Sequence, residues 1–469
     1  MRFSKISSIY EVCSDNFFYY ILRNNLTNQV LFINEKEFER IKSDIKDNKN
    51  TNEIKELKKA HIVVPDSYSE EKYIEYIREK YFLKEPEINI FYLTFNNECN
   101  LACKYCYVEG SYDNDKKSMS MSSEVFKDTM AFIENFILKL KEKNKLSPKL
   151  SFIYYGSEPL LNPDYVIKSI KHIDKLCKVV NTGREINIIT NATQITPELV
   201  QFFKKYKVEL AISLDGPEQI NDEMRIFKGN KKGTHKKILE SIEMLKKEKI
   251  PFGISCTIGP HNINVLKENI SYFKKIGAGG VGFNTLLTAK NKEVPYLSIN
   301  KSNDCLIEAS DFANKNKLYE DRIQRKVKAF NRTEHPHFKD CGAIGNQLVF
   351  YPEGNIGVCQ AYLGCKKPLV GNVSKDKENP LKILENKVLK RWSDRQPINI
   401  SECKSCPAIG ICGGGCAFNS EVKYGKLEKM DKTFCVHTQK ILEWLLKTSI
   451  REKLNTEDVY IRDISFMFR

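Results

Sequence analysis

The chain has 469 residues, a length that suits about three domains and at least one large buried core. No run of eighteen apolar residues occurs, and Met1-Arg2-Phe3-Ser4-Lys5 is not followed by the apolar stretch of a secretion signal, so a cytoplasmic protein with no membrane partner is expected. The formal charge of +15 does not predict nucleic-acid binding: residues 1–85 hold 15 Lys+Arg against 15 Asp+Glu, and the excess falls on scattered lysines such as Lys139, Lys141, Lys143 and Lys145. A lysine-rich solvated face is the commoner meaning of such a pattern, although it could also steer an acidic substrate or a ferredoxin-like electron donor. Fifteen cysteines in a chain without an export signal, gathered mainly in two short stretches, point to metal rather than disulfides.

Residues 1–85 read as short strands followed by helices. Strands are expected at Phe17–Leu22, Val30–Ile33 and Ile62–Val64, with helices from Glu35, from Asn52 to Ala60 and from Ser69 to Tyr81. Three strands and three helices in this span make a winged-helix-like module. In layout it resembles the recognition elements that precede many maturases of ribosomally made peptides (RiPPs), and the small peptide chaperone of pyrroloquinoline quinone biosynthesis. The resemblance implies binding of a precursor peptide through its leader; a structural cap is the alternative reading.

From residue 86 to about 300, apolar strands alternate with amphipathic helices as in βα units. Strands are expected at Ile88–Phe95, Leu150–Tyr155, Ile186–Thr190, Val208–Leu214, Phe252–Ile258 and Gly280–Leu286. Phe126, Met130, Ile133, Ile137 and Leu140 recur at helical spacing, as do Val166, Ile170, Ile173 and Cys177, which makes Cys177 a core residue. Cys256 alternates in phase with Phe252, Ile254 and Ile258 and is likewise read as packing.

Directly after the first of these strands lie Cys99, Cys103 and Cys106. Three thiolates hold three corners of a [4Fe-4S] cube and leave the fourth iron free. Structural zinc would want four closed ligands, and no fourth Cys or His lies within twenty residues on either side. The spacing C-x3-C-x2-C, with Tyr105 before the last cysteine, resembles the radical S-adenosylmethionine (SAM) enzymes. That resemblance implies an α/β fold, a partial (β/α)6 TIM-like barrel, with functional groups at the C-terminal ends of its strands. It also implies that Cys99, Cys103 and Cys106 carry the catalytic cluster, on which SAM is cleaved to a radical that removes hydrogen from unactivated C–H bonds.

Later strand ends supply the remaining motifs. Gly156-Ser157-Glu158-Pro159 resembles the family's Gly-Gly-Glu-Pro, with Ser157 in place of the second glycine, and implies contacts from backbone and Glu158 to the methionyl ammonium. Thr190-Asn191-Ala192 stands where the family often has Thr-Asn-Gly. Ser213 closes the fourth strand, and Arg225 follows twelve residues later. By resemblance, Asn191 and Ser213 face the ribose and methionine end of SAM, while Arg225 pairs with its carboxylate.

Residues 301–340 read as a helical linker, and residues 341–469 as a Cys-rich domain. Cys341, Gly354 and Cys359, then Cys403, Cys406, Cys412 and Cys416, then Cys435, have the spacing C-x12-G-x4-C, gap, C-x2-C-x5-C-x3-C, gap, C. This resembles the seven-cysteine SPASM extension and implies two auxiliary [4Fe-4S] clusters, three in all. Family interleaving assigns Cys341, Cys359 and Cys416 to the barrel-proximal cluster, and Cys403, Cys406, Cys412 and Cys435 to the distal one. The proximal cube is then one ligand short: either Cys365 completes it, or its iron stays open to a substrate thiolate. Gly413-Gly414-Gly415 permits the tight backbone that places neighbouring sulfurs. Cys13 and Cys305 are read as structural.

Together these features resemble radical SAM/SPASM peptide maturases, oxidoreductases that modify a ribosomally made precursor peptide. Within that group the thioether-forming sactipeptide and ranthipeptide maturases are the favoured class, with a flavodoxin- or ferredoxin-type electron donor. Maturases forming C–C or ether crosslinks are the closer alternative. Anaerobic sulfatase-maturating enzymes are another, although their acidic general base is replaced here by Gln360, in Cys359-Gln360-Ala361-Tyr362. A non-catalytic iron–sulfur scaffold that recruits peptides is the non-enzymatic alternative.

Overall fold

The computed structural model describes residues 1–14, 17–81, 85–108, 119–286, 299–332, 335–363 and 368–454. Cys365, an expected candidate ligand, lies outside these described residues.

In the N-terminal portion, β1 (Arg2–Phe3) pairs antiparallel with β5 (Val63–Val64), while β2 (Ser7–Ser14), β3 (Phe17–Asn24) and β4 (Val30–Asn34) form an antiparallel sheet in that order. Three helices follow: α1 (Glu35–Lys46), α2 (Asn52–Lys59) and α3 (Glu70–Tyr81). A capping box starts α1, where the Asn34 side chain accepts from the Glu37 backbone and the Glu37 carboxylate accepts from the Asn34 N–H. Leu22, Leu31, Ile33, Phe38, Ile41, Ile54 and Leu57 close a small core of their own.

The main sheet has ten strands. β6 (Ile90–Leu93), β7 (Lys149–Tyr154), β8 (Gly183–Thr190), β9 (Glu209–Ser213), β10 (Phe252–Ile258) and β11 (Gly280–Thr285) lie side by side in chain order, all parallel. Between them run α4 (Ser123–Glu142), α5 (Pro163–Val179), α6 (Pro197–Tyr206), α7 (Glu218–Met224), α8 (His235–Lys247) and α9 (Leu266–Lys275). Met130, Ile133, Ile137 and Leu140 of α4 are buried against this sheet, on the stripe their spacing predicts.

Both edges of this unit are extended. Segment 301–340 is not a free connector: α10 (Ile299–Lys315) packs on α9, β12 (Tyr319–Glu320) adds parallel to β11, and α11 (Asp321–Phe330) returns over β11. At the opposite edge β13 (Gln347–Phe350) pairs parallel with β6, followed by antiparallel β14 (Asn355–Gly357) and β15 (Leu369–Asn372). The Cys-rich portion therefore shares one sheet with the barrel strands. Phe350 stacks on Phe91, which stacks on Phe152, so a single aromatic core spans the junction. Among the described residues four further α-helices follow: α12 (Val373–Asp376), α13 (Lys387–Ser393), α14 (Ala417–Tyr424) and α15 (Lys432–Leu454).

Parallel strands covered on both faces are usually apolar throughout. Here β7 and β10 alternate between buried and half-buried residues. The reason is geometric: Tyr92, Ile189, Ser213, Ser255, Thr257 and Asn284 turn their side chains into a cavity on the concave face of the sheet. Among the described residues, no helix is long and apolar enough to cross a membrane.

Candidate active site

The concave face encloses a cavity of about 970 Å³. Cys99, Cys103 and Cys106 open onto it from the loop after β6, and Cys341, Cys359 and Cys416 open onto it from the C-terminal portion. Cys403, Cys406, Cys412 and Cys435 surround a separate, much smaller cavity. The ten thiols thus lie on two cavities, six on the larger and four on the smaller.

The first cysteine loop is held by backbone. Ala102 N–H donates to Ile226 O, Lys104 N–H to Met224 O and Lys228 N–H to Asn100 O, so the segment after α7 pins the loop along its length. Leu101 N–H and the Asn191 side-chain amide both point at the Cys99 sulfur, at 3.4 and 3.7 Å. Burial pushes the Cys99 thiol up to about 12, and the neighbouring Glu158, Cys103 and Cys106 push in the same direction. Thiolates crowded in this way need a cation among them.

Gly156, Ser157 and Glu158 line the cavity, as do Asn191, Ser213, Arg225 and Tyr105. Pro159 is buried behind it, at the first position of a short 3₁₀ turn where its fixed φ fits. Two of these residues also have partners within the chain. Glu158 accepts from Leu160 N–H, Thr190 Oγ1 and Asn191 N–H at 3.0, 2.6 and 2.7 Å, so its carboxylate is a latch between the ends of β7 and β8. Burial raises its pKa, against these hydrogen bonds. Arg225 faces Asp215, with nitrogen-to-oxygen separations of 3.1 and 3.3 Å, and its guanidinium lies over the Tyr105 ring. Part of its fork is therefore engaged within the chain.

Asp215 organises this region and was not singled out by its motif. It is fully buried, accepts from Tyr105 Oη at 2.5 Å and Thr257 N–H at 3.0 Å, and has His261 3.7 Å away. Burial works against ionisation, but Arg225 and then the His261 and Tyr105 hydrogen bonds outweigh it and hold the carboxyl below its usual range. The signal in the sequence was an acid after an apolar strand end, followed two residues past the next strand by Pro260-His261.

Between the two groups of thiols that share the cavity stand Tyr107 and Tyr155, with phenol oxygens 3.0 Å apart. Burial raises both pKa values, so the wall there is neutral and hydrogen-bonding. Gln360 projects beside Cys359 and accepts from the Gln347 amide at 2.9 Å. On the opposite wall Arg322 and Lys326 lie one helical turn apart on α11, Arg322 over the Phe434 ring and Lys326 2.6 Å from Asp340.

The thiols on both cavities face open volume and are of the donor type that iron–sulfur clusters take; among the described residues no three His, Cys, Asp or Glu side chains converge as a single metal ion requires. Gly414 and Gly415 adopt left-handed backbone, φ +89° and +68°, which turns the chain sharply between Cys412 and Cys416 and sends their sulfurs to different cavities. Cys177 and Cys256 are buried in the core and line neither cavity, although the Cys256 thiol lies 3.7 Å from the Asp215 carbonyl oxygen.

The radical SAM cyclopropyl synthase TigE of Paramaledivibacter caminithermalis is 24% identical over 364 residues, covering 74% of this chain and 72% of the relative. The cysteine-type anaerobic sulfatase-maturating enzyme of Clostridium novyi is 24% identical over 358 residues, covering 72% of this chain and 90% of the relative. The solved structure of native anSMEcpe with bound AdoMet and Cp18Cys peptide superposes with a TM-score of 0.62 at 21% identity, covering 78% of this chain and 99% of that one, which is a likeness of fold. The family described as the radical SAM superfamily matches residues 93–274, the span that contains Cys99, Cys103, Cys106, Glu158 and Arg225. Residues 93–274 match the radical SAM domain, and the chain is similar over about three quarters of its length to the radical SAM cyclopropyl synthase and the sulfatase-maturating enzyme.

Proposed function

We propose that the protein is a cytoplasmic radical SAM maturase that joins a cysteine sulfur of a ribosomally made precursor peptide to a carbon of another residue. The supporting observation is that Cys99, Cys103 and Cys106 share one cavity with Cys341, Cys359 and Cys416, a second set of three thiols among the described residues. A peptide in that cavity lies between two metal sites, with room at the second for a thiolate of its own. Cys99, Cys103 and Cys106 hold the SAM-binding cube, Cys341, Cys359 and Cys416 a proximal auxiliary cube, and Cys403, Cys406, Cys412 and Cys435 a distal one. When bound, SAM and its cube supply hydrogen-atom abstraction from an unactivated C–H bond.

The chain's own residues orient and shield. Asp215 fixes Tyr105 and Arg225 beside Cys103 of the loop, and Glu158 locks the strand ends where Gly156 and Ser157 meet the cofactor. Tyr107 and Tyr155 stay protonated, so the wall between the two metal sites donates hydrogen bonds without taking protons. Residues 1–85 bind the leader, and a flavodoxin or ferredoxin delivers electrons.

Formylglycine formation is the second reading, favoured by the fold shared with anSMEcpe over 99% of that chain. Gln360 argues against it, because an amide already accepting from Gln347 cannot act as a general base beside Cys359. Coexpression with a short Cys-rich peptide encoded nearby, followed by mass spectrometry, separates the readings. A thioether maturase removes two hydrogens per crosslink and stops when the peptide's cysteines are replaced; a two-hydrogen loss that survives the replacement rules it out.

A further inference from the structure

The tip of the β3–β4 hairpin, Asn24 to Gln29, is buried although it is polar. Arg23, Asn24 and Asn28 are 0, 0 and 1% exposed, and Asn25 and Thr27 are also buried. Polar hairpin tips normally sit in water. This one is inserted into the C-terminal portion, against the segment between Cys406 and Cys412.

The contacts are specific. Gly410 N–H donates to Asn25 O at 2.8 Å, and the Asn28 amide donates to Gly410 O, Ala329 O and Arg332 O at 3.2, 3.1 and 3.1 Å. Asn28 holds left-handed backbone, φ +60°, to present that amide. A Cβ on Gly410 would come within 2.5 Å of Asn25 O, so the two segments touch at backbone distance. Leu26 packs with Ile409 and Cys406 in a small apolar cluster.

Within this joint the Arg23 guanidinium donates to Pro407 O, the residue after Cys406, and to the side-chain oxygens of Asn25 and Asn28, and it lies over the Phe330 ring. Among the described residues no carboxylate pairs with it. Burial pulls its pKa down to about 10, with Tyr10 and Cys406 acting in the other direction. A buried cation with only neutral partners is costly unless an anion lies close by. Thiolate sulfurs at Cys403, Cys406, Cys412 and Cys435 around a cube would supply that anion. Arg395, also buried, has Cys416, Asp431, Cys403 and Cys412 acting on it against the effect of burial.

The geometry points to Arg23 as a positioning residue for the distal auxiliary cluster: the N-terminal module supplies, through this inserted hairpin tip, a buried positive charge that stabilises the reduced cube. The inference rests on the assignment of four thiols to that cube. It makes the peptide-recognition module a structural part of an electron-carrying site, so that events on the module reach the cluster through one joint.

The test uses the full chain, reconstituted anaerobically without peptide, and reads the midpoint potential of each cluster by EPR-monitored titration together with iron content. Arg23→Met is expected to move one of three potentials to a more negative value, and Arg23→Lys to restore most of the shift. If Arg23→Met cannot hold the distal cube, about one third of the iron is lost while the SAM-perturbed signal at the first cluster persists, and Arg23→Lys recovers the iron. Three potentials equal to wild type in Arg23→Met, or a defect that Arg23→Lys shares in full, overturns the inference. A wild-type chain with no third cluster overturns it together with the four-thiol assignment, whereas failure to find a crosslinked peptide leaves these potentials as they are and bears on the proposed reaction alone.

Discussion

At the scale of single residues, the site is held by groups whose charge is balanced inside the protein. Asp215 is the sharpest case, because it is the buried carboxylate facing the buried Arg225 and it also receives Tyr105 and the Thr257 backbone. Replacing one partner of a buried pair leaves the other uncompensated, at a cost of about 3–5 kcal/mol. Asp215→Asn is therefore expected to lower unfolding stability by that order and to weaken SAM binding, since Tyr105 and Arg225 lose their common anchor. Chemical denaturation and equilibrium binding of SAM check the two effects separately; wild-type values for both would remove Asp215 from its organising position. The cysteines, Glu158 and Arg225 were legible in the sequence because motif spacing carries them. The engagement of Glu158 by Thr190 and Asn191 was not, because it depends on how the ends of β7 and β8 meet, which no local pattern encodes.

At the scale of elements, all six barrel strands were legible to within a few residues, since each is an apolar run bounded by turn residues and followed by an amphipathic helix. Edge elements were not. β2 has the half-buried and exposed pattern of Ser8, Ile9, Tyr10, Glu11 and Val12, whose weak contrast hides a strand. β13 is four residues long, and its pairing with β6 joins segments some 250 residues apart, beyond the reach of periodicity. The N-terminal strand β1 is held by an ion pair: Arg2 forks Glu70 on α3 with nitrogen-to-oxygen distances of 2.5 and 2.9 Å, and Lys5 N–H adds a third bond at 3.0 Å. Arg2 is the main reason the Glu70 carboxyl is held down to about 2, from 4.5. A depressed acid stabilises the fold above its unfolded pKa and loses that contribution as pH falls through the folded one. The contribution is therefore complete above pH 4.5 and disappears towards pH 2, and with Arg2 partly exposed it is about 1 kcal/mol. Hydrogen exchange at Val63 and Val64 in the metal-free chain should lose protection across that window in wild type, while Glu70→Gln starts lower and stays flat. Superimposable profiles would exclude the ion pair as the anchor of β1.

At the scale of the whole molecule, the three groups of thiols are not equivalent. Cys99, Cys103 and Cys106 share a cavity with Cys341, Cys359 and Cys416, whereas Cys403, Cys406, Cys412 and Cys435 line a separate, smaller one, where Cys406 packs with Leu26 of the N-terminal hairpin. Under the proposed function, binding and cleavage of SAM require the first group, and a site that the cofactor cannot touch affects the outcome only through electrons. Cys99→Ala is accordingly expected to abolish formation of 5′-deoxyadenosine, while Cys435→Ala continues to form it and yields little crosslinked peptide. Chromatographic measurement of 5′-deoxyadenosine beside the peptide mass distinguishes the two, because the ratio of cofactor consumed to product formed rises only in the second variant. Wild-type coupling in Cys435→Ala would mean that the group on the smaller cavity is structural. A loss of both products there, with SAM binding lost as well, would mean that the shared sheet transmits damage from the C-terminal portion to the barrel, and folding measurements on the same variant would then identify β13 against β6 as the route.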